Sequence, residues 1–455
     1  MSISLSDAAI TGMLLRVYNA FENNVFPVVT PLAAQIDRAT PKSKHKIRWG
    51  GENAFFPVTI GQPAGFYSSS NGALPPSSAA LERQAQETVK RIYVRRQVDG
   101  FAITGTASKE AAFKPLATKI IREATIASKL GMQRMLHSDS RGIIAVVVTT
   151  GTTTAVVSSP YGITSAGQGG LTMEQYQTYQ ILDPNNSYAA RTVSNGPGNN
   201  RITLASYTES SDNATLSFTG SESVASMTIG DVFVLATSAS IAFNSTAGDV
   251  SSQAGEINGL VNITKRGGSS TYNSLHNISS ATAGNERWDS VRMVAGTDTP
   301  SLNATEDDIY KLSVKILGRS GYSPMESPSD WLLLGTPGLQ QQLVQSVIGQ
   351  RVLADEVELK AGYKGIRIAG LPFIADYWCP AGTLYLLHLP DLFKINAKDF
   401  GYVVLNGAGP WRWIADYDGF ETSWGAYINI GTTNRGAHGS ITGYTDSLRA
   451  THVVG

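Results

Sequence analysis

Residues Leu359–Ile395 read LKAGYKGIRIAGLPFIADYWCPAGTLYLLHLPDLFKI. Two segments of it, IRIAGLPFIAD and GTLYLLHL, are short apolar runs bounded by Gly, Pro and Asp, the pattern of buried strands. Cys379, the only cysteine of the chain, lies between Trp378 and Pro380 and reads as a small buried hydrophobe rather than a nucleophile. His388 falls in the second apolar strand, where a satisfied core histidine is the simpler reading.

The neighbouring segments alternate between helix and strand. Upstream, WLLLGTP is a buried strand ending at Pro337, and GLQQQLVQSVIGQRVL is a helix. TPSLNATEDDIYKLSVKILGRSGY predicts a helix near 304–318, entered by Thr305 and the acids behind it and closed by Gly318. Downstream, four more short strands lead to GAYINIGTTNRGAHGSITGY. The longest helical pattern is Ser108 to His137, with apolar residues at Phe113, Leu116, Ile120, Ala124, Ala127, Leu130 and Met135. Pro115 fits its first turn, so the main helix is placed at about 114–137, a rod of roughly 35 Å.

Residues 1–45 read as a short helix and an extended arm, and 46–98 as a long excursion. Ile47–Thr59 and Thr88–Val98 have strand character, and the Gly-, Pro- and Ser-rich segment between them reads as a loop. A loop of that length is normally functional or covered by a partner. After the long helix comes a β-branched run, Ile143–Val157. Short strands then alternate with turns over 170–250, a small β-barrel or sandwich inserted into an α/β chain.

Composition narrows the function. The 455 residues carry 36 basic and 36 acidic side chains, a formal net charge of zero, which does not favour a dedicated nucleic-acid binder or a polybasic membrane protein. The charge is uneven: Arg83 to Arg134 holds eleven Lys or Arg against four acids. There is no signal-peptide pattern and no apolar run long enough to span a bilayer, so the sequons at Asn213, Asn244, Asn262, Asn277 and Asn303 read as products of composition. The nucleophile-elbow, zincin, Walker and dinucleotide motifs are all missing. The six histidines are far apart in sequence. Asp307–Asp308 and Asp416–Asp418 are explained as helix-start and turn acids. We expect no catalytic residues, no cofactor and no metal.

The segment 359–395 resembles the major capsid proteins of tailed bacteriophages with the Hong Kong 97-type fold, through Lys364, Gly365, Gly370, Pro372, Asp376, Cys379, Pro380, Gly382, Thr383, Tyr385 and Leu387. WLLLGTPGL, SDSRGIIAVVV, EINGLVNI and NRGAHG are similar to further parts of that family, in the same order. The resemblance implies an α+β fold. It has an N-arm (1–45), an E-loop (46–100), a P-domain spine helix and following strand (101–150), an inserted β domain (151–255), an A-domain (256–385) and returning P-domain strands (386–455).

It also implies a shell subunit rather than an enzyme, assembling with itself into pentamers and hexamers around double-stranded DNA. The DNA would be touched through non-specific contacts. A separate scaffolding protein, a portal and a decoration protein are the other implied partners, and a membrane is not one. The shell would be built in the bacterial host cytoplasm and end in the virion. Trp49, Phe55, Phe56, Phe66 and Tyr67 are the apolar groups expected to be buried by neighbouring subunits, and Arg91, Arg95 and Arg96 are expected to pair with a neighbour's acids. The alternatives are an encapsulin-like compartment and, in another class, a secreted β-rich adhesin or carbohydrate-binding protein, against which the missing signal peptide argues.

Overall fold

The computed structural model describes residues 32, 35–38, 47–61, 81–99, 128, 131–151, 153–158, 173, 177–194, 196, 200–210, 213–219, 222–224, 227–235, 255–265, 272–348, 356–358, 364–376, 378–403, 411–414 and 418–446. Most of the expected N-arm lies outside them, as do Phe66, Tyr67 and residues 108–127 of the expected long helix. Of the expected span, residues 131–136 are helical.

The 359–395 stretch belongs to a seven-stranded mixed sheet. Its order is Val291–Val294, Gly439–Thr442, Thr383–His388, Trp331–Gly335, Leu371–Ala375, Lys364–Ile368, Glu356–Glu358. Trp331–Gly335 runs antiparallel to Thr383–His388 and parallel to Leu371–Ala375. Every residue of Trp331–Gly335 and of Thr383–His388 is buried, so both appear in the sequence as unbroken apolar runs. The turn into Leu371 places Ala369 and Gly370 at φ of 53° and 78°, a left-handed conformation that glycine adopts freely.

Helices α1 (Glu306–Ser320) and α2 (Pro337–Ile348) pack on this sheet through Ile309, Leu312, Ile316, Leu339 and Leu343. At the start of α1 the Thr305 amide donates to the Asp308 carboxylate at 3.2 Å, and three acids fill the positive first turn. Gly318, expected to close the helix, lies inside it. The end comes at Gly321, whose left-handed φ of 78° lets its amide reach the Leu317 carbonyl at 2.9 Å.

A second sheet is built on the 14-residue strand Gly419–Thr432. Leu392–Tyr402 and Trp411–Trp413 pair along one edge of it and Lys90–Asp99 along the other, all antiparallel. Asp37–Arg38 extends the sheet parallel to Leu392–Tyr402. A three-stranded hairpin, Arg48–Gly50, Asn53–Thr59 and Glu82–Thr88, feeds into Lys90–Asp99. Glu82–Thr88 is strand where the sequence reads as loop. Its composition, ERQAQET, is polar, yet Ala85, Glu87 and Thr88 are buried against the body.

Between the helix end and residue 235 the chain forms a closed antiparallel barrel. The strands follow Ile202–Ser210, Asn213–Phe218, Thr154–Ser158, Ile143–Thr150, Val232–Leu235, Thr178–Asp183, and the last pairs back onto the first. This β region is therefore a six-stranded barrel, and closure removes its open edges. Tyr179, Ile181, Leu204, Leu216 and Phe233 fill it. The barrel takes in Ile143–Thr150, which the sequence reading grouped with the long helix. Among the described residues no helix is long and apolar enough to cross a membrane.

Candidate functional site

The hairpin and the sheet it joins form the candidate site, and their geometry follows from alternation. Along Asn53–Thr59, Ala54, Phe56 and Val58 are buried while Pro57 and Thr59 are exposed, the period of a strand with one covered face. Phe56 is 1% exposed and meets Phe393 edge-on at 5.0 Å and His276 at 5.3 Å. It is thus an anchor within its own subunit and not a group left for a neighbour, which corrects the expectation for Phe56. Phe55 points the other way, half-buried, with its ring over Gly50. Trp49 is 41% exposed. A cavity of about 370 Å³ opens beside them, lined by Arg48, Pro57, Glu82, Arg83 and Gln84 among others.

Polar contacts fasten the base of the hairpin to the body. Glu87 contacts His276 Nδ1 at 2.6 Å and accepts from Asn429 Nδ2 at 2.7 Å. His276 Nε2 accepts from the Thr432 amide at 3.0 Å, so Nδ1 carries the proton and donates to Glu87. Asn429 also donates to the Thr88 carbonyl at 2.8 Å and accepts from the Asn258 amide at 2.8 Å. Residues more than 150 positions apart in sequence thus meet in one buried cluster.

The three arginines behave differently from one another. Arg91 bonds Glu52 and Arg95 bonds Glu421, both within the chain. Their carboxylate partners are therefore supplied by their own subunit, where the sequence reading expected a neighbour's. Arg96 points to the opposite face, paired across the strands with Thr422, and is partly buried.

Behind the hairpin lies a buried polar core that no local pattern reveals. Arg435, from NRGAHG, is completely buried and donates to four carbonyls: Ile263 at 3.0 Å, Asn273 at 3.2 Å, Asn262 at 2.7 Å and Tyr272 at 2.6 Å. Burial pulls its pKa down to about 9, the Asp289 carboxylate working in the other direction, so it remains a cation at neutral pH. Asp376 is buried against His137 at 3.1 Å and accepts from the Trp378 amide at 2.9 Å. Burial pushes its carboxyl up, but His137 and the amide outweigh that and hold it below the usual range. This pair ties the segment that follows helical residues 131–136 to the seven-stranded sheet. His388 contacts Asp391 at 2.8 Å and stacks on Tyr322.

His438 sets the chemistry of this core. Its Nδ1 accepts from the His388 amide at 3.2 Å, so Nε2 carries the proton and faces the Thr432 hydroxyl at 2.9 Å. Burial lowers its pKa to about 3. A neutral ring holding its proton toward Thr432 has no lone pair there to activate that hydroxyl, and both residues are fully buried. The contact is structural. Among the described residues no group of three or more His, Cys, Asp or Glu is placed to hold a metal ion. Gly382 allows the close approach of two segments, since a Cβ there would meet the Tyr444 carbonyl oxygen at 2.2 Å.

No family model matches the sequence. No curated protein matches it either. Among solved structures, the capsid asymmetric unit of cyanophage A-1(L) matches at TM-score 0.51 and 12% identity, over 93% of this chain and 95% of that one. The chain has the Hong Kong 97-type fold of phage capsid proteins. The likeness runs nearly the full length of both chains. Mycobacterium phage Bobi gives TM-score 0.40 at 10% identity, over 91% and 90%. The SrpI encapsulin complex of Synechococcus elongatus gives 0.27 at 14% identity, over 36% of this chain and 56% of that one.

Proposed function

We propose that this chain is a major capsid protein, assembling into pentamers and hexamers of an icosahedral head around double-stranded DNA. The observation that carries the reading is the end-to-end match to the cyanophage capsid subunit, 93% of one chain against 95% of the other. The work of such a subunit is assembly. In this reading residues 1–45 are the N-arm, 46–100 the E-loop and 101–150 the spine helix with its strand, followed by the insertion to 255. Residues 256–385 are the A-domain, and 386–455 return to the P-domain.

Within the reading, Trp49 and Phe55 are the apolar groups offered to neighbouring subunits, and Phe66 and Tyr67 join them from the loop. A separate scaffolding protein, a portal and a decoration protein complete the particle, which is built in the bacterial cytoplasm. Negative-stain microscopy of the expressed chain tests this. Closed shells are expected, and only monomers or amorphous aggregate across salt and pH would overturn it. Shells that enclose a protein cargo would instead indicate an encapsulin-like compartment.

A further inference from the structure

One face of the Gly419–Thr432 sheet is left open beside the hairpin. Along Lys90–Asp99 the inward residues Ile92 and Val94 pair across with Ala426 and Trp424, both buried in the core. Arg91, Tyr93, Arg95 and Gln97 alternate with them and are exposed. Across the sheet the same face carries Tyr427, Glu421 and, from Trp411–Trp413, Arg412. Lys398 stands over the Tyr427 ring at 5.7 Å. Among the described side chains of this face, four cations meet two carboxylates, Glu52 on Arg91 and Glu421 between Arg95 and Arg412.

Glu421 is the decisive group. It is 6% exposed, and its two oxygens are divided between two guanidinium groups, Arg95 on one side and Arg412 at 2.6 Å on the other. One buried carboxylate thus holds two arginines in place and neutralises only one. Both arginine side chains stay about half exposed, at 54% and 48%, and each guanidinium has further N–H donors to offer. Arg95 and Arg412 stand on strands either side of the central one, roughly 10 Å apart, and Arg91 lies roughly 13 Å along the strand from Arg95.

We propose that this sheet face is a docking surface for the phosphodiester backbone of duplex DNA, with Arg91, Arg95 and Arg412 as the phosphate-binding residues and Glu421 as the carboxylate that partly neutralises Arg95 and Arg412. The choice of partner follows from composition. Protein–protein contacts are depleted of charge at their centre, whereas here one exposed aromatic, Tyr93, stands among the cations Arg91, Arg95 and Arg412. A polar face with surplus fixed arginines is what a nucleic-acid backbone meets. Contacts of this kind read no sequence, and their affinity falls with salt.

The proposal rests on the shell reading for its source of DNA, and the two fail separately. Binding of the full chain to a random 20-base-pair duplex would be followed by fluorescence anisotropy between about 50 and 200 mM salt, and shell formation by microscopy. The triple variant Arg91→Gln, Arg95→Gln, Arg412→Gln is expected to bind at least tenfold more weakly at low salt. Its log–log salt slope should be shallower by about 2 to 3, which is about 0.9 for each phosphate no longer neutralised. Glu421→Gln is the opposite arm: it releases one positive charge and is expected to tighten binding and steepen the slope by about 1. That gain cannot come from a misfolded protein.

Wild-type chain that ignores duplex, an unchanged salt slope in the triple variant, or weaker binding in Glu421→Gln would each overturn the proposal, whatever happens to shells. A polyglutamate peptide that binds as well as duplex would also overturn it and assign the face to the acids of a second copy. Failure of wild type to form shells, with duplex binding as expected, would overturn the capsid reading alone.

Discussion

The two mixed sheets put similar strands to different uses. In the sheet centred on Trp331–Gly335, the middle strands are buried on both faces and helices α1 and α2 pack against it. The Gly419–Thr432 sheet changes character along its length. Its residues Asn429 to Thr432 are buried with the hairpin base, Glu87 and His276. At its other end it pairs with Lys90–Asp99, whose outer face is charged and exposed. The first sheet holds the subunit together. The second does so at one end only and at the other presents groups that a lone subunit leaves in water. Rigidity and availability therefore meet within a single strand, and the buried polar core marks where one gives way to the other.

That division can be broken first at Arg435. Arg435→Met removes the cation that bonds four buried carbonyls. Orphaned buried polar groups are costly, and a loss of about 3–5 kcal/mol is expected in urea unfolding of the subunit. A loss below about 1 kcal/mol would show that the junction is not a stability centre. Next come two neighbours with opposite orientations. Phe56→Ala empties a filled site in the core and should cost about 3–5 kcal/mol. Phe55→Ala, on the outer face, should cost the subunit less than about 1 kcal/mol while impairing shell formation. Equal effects of the two on unfolding would abolish the distinction between the hairpin's faces.

How far the sequence revealed this depends on the range of the interactions. The strands of 359–395 and helix α1 were legible because apolar runs and helix-start acids are local signals. The barrel was legible from its alternation, although closure by pairing of Thr178–Asp183 with Ile202–Ser210 was not. Glu82–Thr88 escaped notice because its buried Glu87 is satisfied by His276, 189 residues away. The role of Arg435 was not legible, since nothing nearby in sequence announces the carbonyls of residues 262, 263, 272 and 273. Arg91 and Arg95 were correctly placed on a strand, but their carboxylate partners within the chain, Glu52 and Glu421, were not foreseen. The nearest carboxylate depends on tertiary pairing, which charge counts do not contain.

A smaller effect comes through pH. Burial holds His438 at a pKa of about 3, against about 6.5 in the unfolded chain. Between these values the unfolded chain binds a proton that the folded one refuses, so stability falls as pH drops. The contribution is complete above about pH 6.5 and is lost toward pH 3, by at most about 1.4 kcal/mol per pH unit. His438→Gln should start from a lower stability at neutral pH and show a flatter acid limb. An unchanged slope between pH 6 and 4 would mean that other groups set the acid response. Asp376, held below the usual carboxylate range, adds its loss only at the acid end, below about pH 4.

The smallest expected effect is none at all, and it concerns how the exposed end is held once subunits meet. A shell can be welded by an isopeptide bond between a lysine of the hairpin loop and a neighbour's asparagine, which requires an amine near the tip. No residue from Ile47 to Val89 is lysine. Lys90 stands at the hairpin base, 5% exposed, paired across the sheet with Ile428. Even the far end of the described hairpin, where Thr59 pairs with Glu82, lies eight residues away, some 25 Å at the rise of a strand. A lysine side chain does not reach over that distance, and a buried one is not free to try. Mature particles boiled in denaturant should therefore run as a single monomer band. A ladder of covalent pentamers and hexamers would show that an amine elsewhere in the chain does the welding, and that burial, strand pairing and charge do not hold the exposed end on their own.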